Sequence, residues 1–154
     1  MKKNYFLLVL FLTSNSIFTA QDARKNSSNA GLNSNSINLS YGILSANLTY
    51  ERLWQGKVFG SNNSTIVDLG LGGLAHWDGE SAFAISRFGI LTGSGRRHLE
   101  AKAGACLFWS GDFQGSILPS GSIGYRRQKP GSGFIFRTGI GFPDILYVSF
   151  GISF

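Results

Sequence analysis

The last eleven residues, Asp144 to Phe154 (DILYVSFGISF), restrict what this chain can fold into more than any other stretch. Counting back from the end, Phe154, Ile152, Phe150, Val148 and Leu146 are apolar. The residues between them, Ser153, Gly151, Ser149 and Tyr147, are small or carry a hydroxyl. A period of two over a whole segment is that of a strand with one apolar face. About 9–11 residues is what a tilted strand needs to cross a bilayer. An exposed terminal Phe on a wholly apolar strand face suits a closed membrane barrel better than a water-facing surface.

The same alternation recurs upstream, with Gly, Ser, Asp and Pro breaks between segments. Ile37 to Ile43 sets Ile37, Leu39, Tyr41 and Ile43 on one face. Ala46 to Trp54 sets Leu48, Tyr50 and Trp54 against Asn47, Thr49 and Glu51. Thr65 to Trp77 sets Val67, Leu69, Leu71, Ala75 and Trp77 against Asp68, Gly70, Gly72 and His76. In Ala82 to Thr92 the apolar phase slips between Phe83/Ile85 and Phe88/Ile90, which predicts a bulge. Leu99 to Trp109, Gly121 to Gln128, Gly133 to Phe142 and Asp144 to Phe154 complete a set of eight strands. An even number is what single-chain bacterial barrels require.

Ahead of the strands, Met1 to Ala20 reads as a secretory signal peptide: Lys2 and Lys3, an apolar core from Tyr5 to Leu12, and a small-residue exit at Thr19-Ala20. No cysteine follows the apolar core, which argues against a lipid anchor. Gln21 to Ser36 is rich in Asn and Ser and reads as a disordered polar tail. The division expected is therefore signal peptide 1–20, tail 21–36 and barrel domain 37–154. No later stretch approaches the ~20 apolar residues of a spanning helix, so a membrane-inserted mature chain would cross with strands.

Length allows one domain. Charged residues make up 14% of the chain, against roughly 25% in typical soluble domains, while 21 glycines and 13 phenylalanines favour an all-β class. The formal net charge is +6, or +4 once Lys2 and Lys3 are removed. No basic run with interleaved aromatics appears, so no nucleic-acid partner is expected. The single cysteine, Cys106, cannot form an internal disulfide.

Alternation does not say which face points outward, since a lipocalin-like barrel shows the same pattern with its apolar side inside. Three features favour apolar-outward. Aromatics sit near segment ends (Trp54, Trp77, Trp109, Tyr125, Phe142, Phe154), where interfacial girdles lie. The polar face is rich in Gly and Ser, suiting the narrow lumen of eight strands. That face also carries charges of both signs, Glu51, Asp68 and Glu100 against Arg87, Lys102, Arg126 and Arg137. A dry lumen requires such pairing, because lone buried charges are very costly.

The tracts Leu48-Thr-Tyr50-Glu51-Arg52, Ile123-Gly124-Tyr125-Arg126 and Tyr147 to Phe154 resemble the small outer-membrane β-barrel domain proteins of Gram-negative bacteria, in the size class of OmpX and the OmpA membrane domain. The resemblance spans roughly 37–154. It implies an eight-stranded antiparallel up-and-down barrel in the outer membrane. It also implies that Phe150, Ile152 and Phe154 form the signal read by the barrel-assembly machinery, and it implies no particular chemistry. With both ends periplasmic, the turns sort by charge: Asp78, Glu80, Asp112 and Asp144 outside, Lys57, Arg96, Arg97 and Lys129 inside. The stretch 55–64 is long for a periplasmic turn.

No motif carries a reaction. Gly70-Leu-Gly72-Gly-Leu-Ala75 matches a dinucleotide fingerprint in letters, but a turn comes after it where a helix is needed. His98 and Glu100 share a strand face, yet the His-x-Ser pattern of the eight-stranded lipid A deacylases is absent, as is a Gly-x-Ser-x-Gly elbow; His76 and His98 read as rim or turn residues. Two histidines and one cysteine make no metal set. Cys106 reads as a small buried side chain. The expectation is a non-enzymatic barrel of structural or surface-interaction type, with a filled lumen, a loop at Ser110 to Ser120 facing outward, no cofactor, and membrane lipid as its surroundings. A lipid-modifying enzyme and a soluble periplasmic barrel holding a small apolar ligand are the alternatives.

Overall fold

The computed structural model describes residue 32 and residues 35–55, 63–76, 79–92 and 95–154. The expected signal peptide, most of the expected tail, and Lys57, Trp77 and Asp78 lie outside the described residues. Eight strands succeed one another: β1 (Asn35–Gly42), β2 (Ser45–Gln55), β3 (Ser64–His76), β4 (Gly79–Thr92), β5 (Arg97–Gly111), β6 (Ile117–Gln128), β7 (Phe134–Phe142) and β8 (Ile145–Ser153). Each pairs antiparallel with its neighbours in sequence, and β1 pairs with β8, so the sheet closes with no free edge. The described residues contain no helix. The alternating segments thus mark all eight strands, with β1 beginning two residues earlier than expected. The connection expected over Ser110 to Ser120 is shorter, because β5 runs on to Gly111 and β6 starts at Ile117.

Closure carries a stagger. From Arg97 on β5, cross-strand partners lead through Arg127, Phe136, Phe150, Leu39, Leu48, Leu71 and Ala84 back to β5 at Leu107, ten residues further on. Such a shear obliges the strands to tilt by about 35–45° to the axis. Every residue on that path points outward. The next path, from His98 through Arg126, Arg137, Ser149, Ser40, Asn47, Gly72 and Phe83 to Phe108, points inward.

The two faces differ sharply in chemistry. Outward positions carry large exposed apolar side chains on all eight strands, with Leu71 at 62% and Ile123 at 66% exposure. Inward positions bury Asp68 and Arg126 completely, both at 0%. This is the reverse of a protein whose core is oil and whose surface is charge.

The lumen is layered along its axis. Near the rim formed by the β1–β2, β3–β4, β5–β6 and β7–β8 turns, Leu74, Phe83, Ile85, Cys106 and Phe108 form an apolar layer with Leu44 and Leu118 against it. Near the rim that holds the chain ends, Leu53, Ile66 and Leu91 form a second, against which Leu32 packs. Charged and hydroxylic side chains fill the space between. Glycines make room for the larger ones. A Cβ on Gly139 would stand 2.8 Å from the Tyr147 hydroxyl, and one on Gly72 would stand 2.6 Å from the Phe83 ring.

No bulge falls where the slip of apolar phase placed one, between Phe83/Ile85 and Phe88/Ile90. Ser81, Phe83, Ile85, Arg87, Gly89 and Leu91 alternate inward without interruption. What changes along β4 is the lumen: Phe83 and Ile85 face the apolar layer, whereas Phe88 faces outward from a level where the lumen is charged. The one register shift against β5 falls at Ala82/Phe83, where Ala82 pairs with Ser110 and Phe83 with Phe108, leaving Trp109 as the extra residue.

Candidate functional site: the charged layer of the lumen

Glu51, on β2, is the centre of the layer. Arg126 Nη1 donates to its Oε1 at 2.6 Å and Arg137 Nη2 to the same oxygen at 2.7 Å, while Lys102 Nζ reaches Oε2 at 3.0 Å. The three cations stand on β6, β7 and β5, so one carboxylate ties four strands across the lumen. Asp68, on β3, accepts from Arg87 in a two-pronged pair, Nε to Oδ1 at 3.0 Å and Nη2 to Oδ2 at 2.9 Å. Lys102 Nζ also lies 2.9 Å from Asp68 Oδ2 and so bridges the two clusters. Glu100 takes longer contacts, 3.6 Å to Arg137 Nε and 3.9 Å to Lys102 and Arg126, and accepts from the Tyr147 hydroxyl at 3.3 Å.

All seven charged residues named from alternation are buried and belong to this network. Gln128, which alternation sets on the face of Arg126, and Ser36 join the network as well. Gln128 accepts from Arg126 Nε at 2.9 Å and donates to Ser153 at 3.1 Å. Ser36 donates to Glu51 at 3.4 Å and accepts from Asn38 at 3.1 Å.

The most consequential omission is Asp144. Expected as a turn acid on the outer side, it does stand in the β7–β8 turn, but its side chain is buried at 2% exposure and accepts from Ser45 and, at 2.8 Å, from Asn47. The β7–β8 turn is only Pro143-Asp144, too short to carry its side chain away from the mouth. Among the described residues, with Asp144 counted, four buried acids (Glu51, Asp68, Glu100, Asp144) face four buried bases (Arg87, Lys102, Arg126, Arg137). Equality of charge is what a lumen screened from water demands, since each uncompensated ion there costs several kcal/mol. The signal available in the sequence was that excess of one base over the three acids first assigned to the inner face.

His98 also departs from expectation. As the second residue of β5 it does stand beside the β4–β5 turn, but its side chain is buried at 5% exposure and faces inward opposite Arg126; the His76 side chain lies outside the described residues. Cys106 is buried in the apolar layer with Phe83 and Phe108. Gly70 and Gly72 lie inside β3, and the next element along the chain is the strand β4. Among the described residues no group of three or more His, Cys, Asp or Glu side chains could hold a metal ion.

Phe150 and Ile152, by contrast, point outward from β8, with Phe154 just beyond it, at 49%, 67% and 62% exposure. The Phe150 ring packs against Phe136 with centroids 5.6 Å apart and against Phe134 at 6.5 Å. Together the lumen offers an ionic cross-brace, and the outer wall a largely apolar surface. Comparison with family models, with curated proteins and with solved structures finds no match for this chain.

Proposed function

We propose that this chain is an integral outer-membrane β-barrel of structural or surface-interaction type, exported through its signal peptide and closed to ion flow. One observation carries the reading: the barrel is apolar outside and ionic inside. In water the outer wall would expose a contiguous apolar belt far larger than the few hundred Å² that monomeric proteins show. In a bilayer the same belt meets acyl chains, and closure leaves no backbone group unpaired at an edge. Trp54 and Trp109, exposed near opposite strand ends, sit where interfacial aromatics belong.

The cross-braced layer, with an apolar layer at either side of it, supports a structural role for the lumen. Glu100 is engaged by Arg137, Lys102, Arg126 and Tyr147 and lies behind the barrel wall, which disfavours its use with His98 as an acid–base pair on lipid. By resemblance, Phe150, Ile152 and Phe154 would serve the barrel-assembly machinery. The test combines fractionation with electrophysiology. The chain is expected in the outer-membrane pellet, with a gel mobility that shifts on heating, and to give no steady large conductance in planar bilayers. Recovery in the soluble periplasmic fraction contradicts the membrane assignment, and steady large conductance from the monomer contradicts the closed lumen.

A further inference from the structure

Charge on the outside of the barrel is segregated by rim. The exposed acids among the described residues, Glu80 and Asp112, both stand at the turn rim. The exposed bases, Arg96, Arg97, Arg127 and Lys129, stand at the rim of the chain ends, in or beside the β4–β5 and β6–β7 turns, which the Gln128 amide joins by donating to the Arg96 carbonyl at 3.1 Å. Arg97 and Arg127 are direct cross-strand partners on the outer wall. Like charges in that position repel, and among the described residues neither forms an ion pair. Two guanidinium groups side by side, each a planar fork of donors, suit a phosphate.

The wall above them is shaped as well. On the same two strands, Ala101 and Ala103 of β5 and Gly121 of β6 are small. Phe88 and Ile90 of β4 rise on one side of them, and Ile123, Ile140 and Phe142 on the other. The result is an apolar furrow of about 960 Å³. From Arg97 to Ala103 is six residues along β5, roughly 20 Å at about 3.3 Å per residue. At a tilt of about 40° this descends roughly 15 Å, half of the ~30 Å hydrocarbon core. Leu99 and Tyr125 stand between the arginines and the furrow, so the acyl chain of a headgroup at the arginines crosses that pair before it enters the furrow and continues through one leaflet.

We infer that Arg97, Arg127 and the Ala101–Ala103–Gly121 furrow form a binding site for one anionic phospholipid, the phosphate held by the arginines and an acyl chain by the furrow. The inference rests on the proposed membrane location. It concerns a selective site where that location needs only a lipid surround.

The test uses the purified full chain, refolded in detergent, with native mass spectrometry against phosphatidylglycerol and phosphatidylcholine, and with vesicle insertion and heat-shifted mobility as checks of fold. Phosphatidylglycerol is expected to be retained on the order of tenfold better than phosphatidylcholine. The double variant Arg97→Gln/Arg127→Gln should insert normally and lose that preference. Ala103→Phe, which fills the furrow, should weaken retention of both lipids while keeping their ratio. Equal retention of the two lipids by an inserting wild-type chain overturns this inference alone. So does an unchanged preference in the double variant, or a dimer that Ala103→Phe abolishes, which would make a second copy the occupant. A chain that fails to enter vesicles overturns this inference together with the membrane location.

Discussion

Glu51 shows how one residue decides the character of this lumen. Its carboxylate serves Arg126, Arg137 and Lys102 at once, so removing its charge leaves three buried cations with incomplete partners. Breaking a buried ion pair from one side costs about 3–5 kcal/mol. Glu51→Gln is accordingly expected to lower stability by that amount in equilibrium urea unfolding of the refolded barrel. Arg97→Gln, exposed on the outer wall, should change it by less than about 1 kcal/mol. Near-equal values for the two variants would contradict a dry, interlocked lumen. At this scale the sequence was legible where position along a strand alone determines facing: Glu51, Asp68, Arg87, Glu100, Lys102, Arg126 and Arg137 derive from period two. Asp144 was not, because it stands in a turn, where alternation has no phase. His98 shares the face of Glu100 in the alternation and faces inward with it.

Among elements, β4 and β6 mark the limits of a binary reading. All eight strands are legible from alternation, since most outer positions are apolar and each strand is bounded by turn residues. The scheme failed on β4 by treating the inner face as uniformly polar. Phe83 and Ile85 belong to an inner apolar layer, their rings and methyls packed with Phe108 and Cys106, and so mimic a slip of phase. No local pattern encodes that layering, which depends on which strands meet at one axial level after a ten-residue stagger. On β6, Ile123 faces outward at mid-strand. Ile123→Arg is expected to cost about 2–4 kcal/mol in lipid, read from urea titration in vesicles. The same change on a water-facing surface would fall within about 0.5 kcal/mol.

For β8, Phe150→Ser/Phe154→Ser is expected to lower the amount of chain in the cell's outer-membrane fraction by more than half, while the purified variant still refolds into vesicles. Equal loss in both settings would assign these residues to stability alone and not to assembly.

Considered whole, the described strands form a closed barrel with paired charges buried inside and a largely apolar outer face. Among the described residues, four buried acids stand against four buried bases, while the exposed acids and exposed bases lie at opposite rims. Architecture and charge balance come from the described residues themselves. The membrane is inferred from the physics of the outer wall. That wall is probed most directly by nitroxide labels at Ile123→Cys and Val148→Cys, each in a Cys106→Ala background, on chain mixed with lipid vesicles. Collisions dominated by dissolved oxygen, with a water-soluble nickel chelate excluded, are the expected result at both sites. Ready access of the nickel chelate to both labels would contradict it.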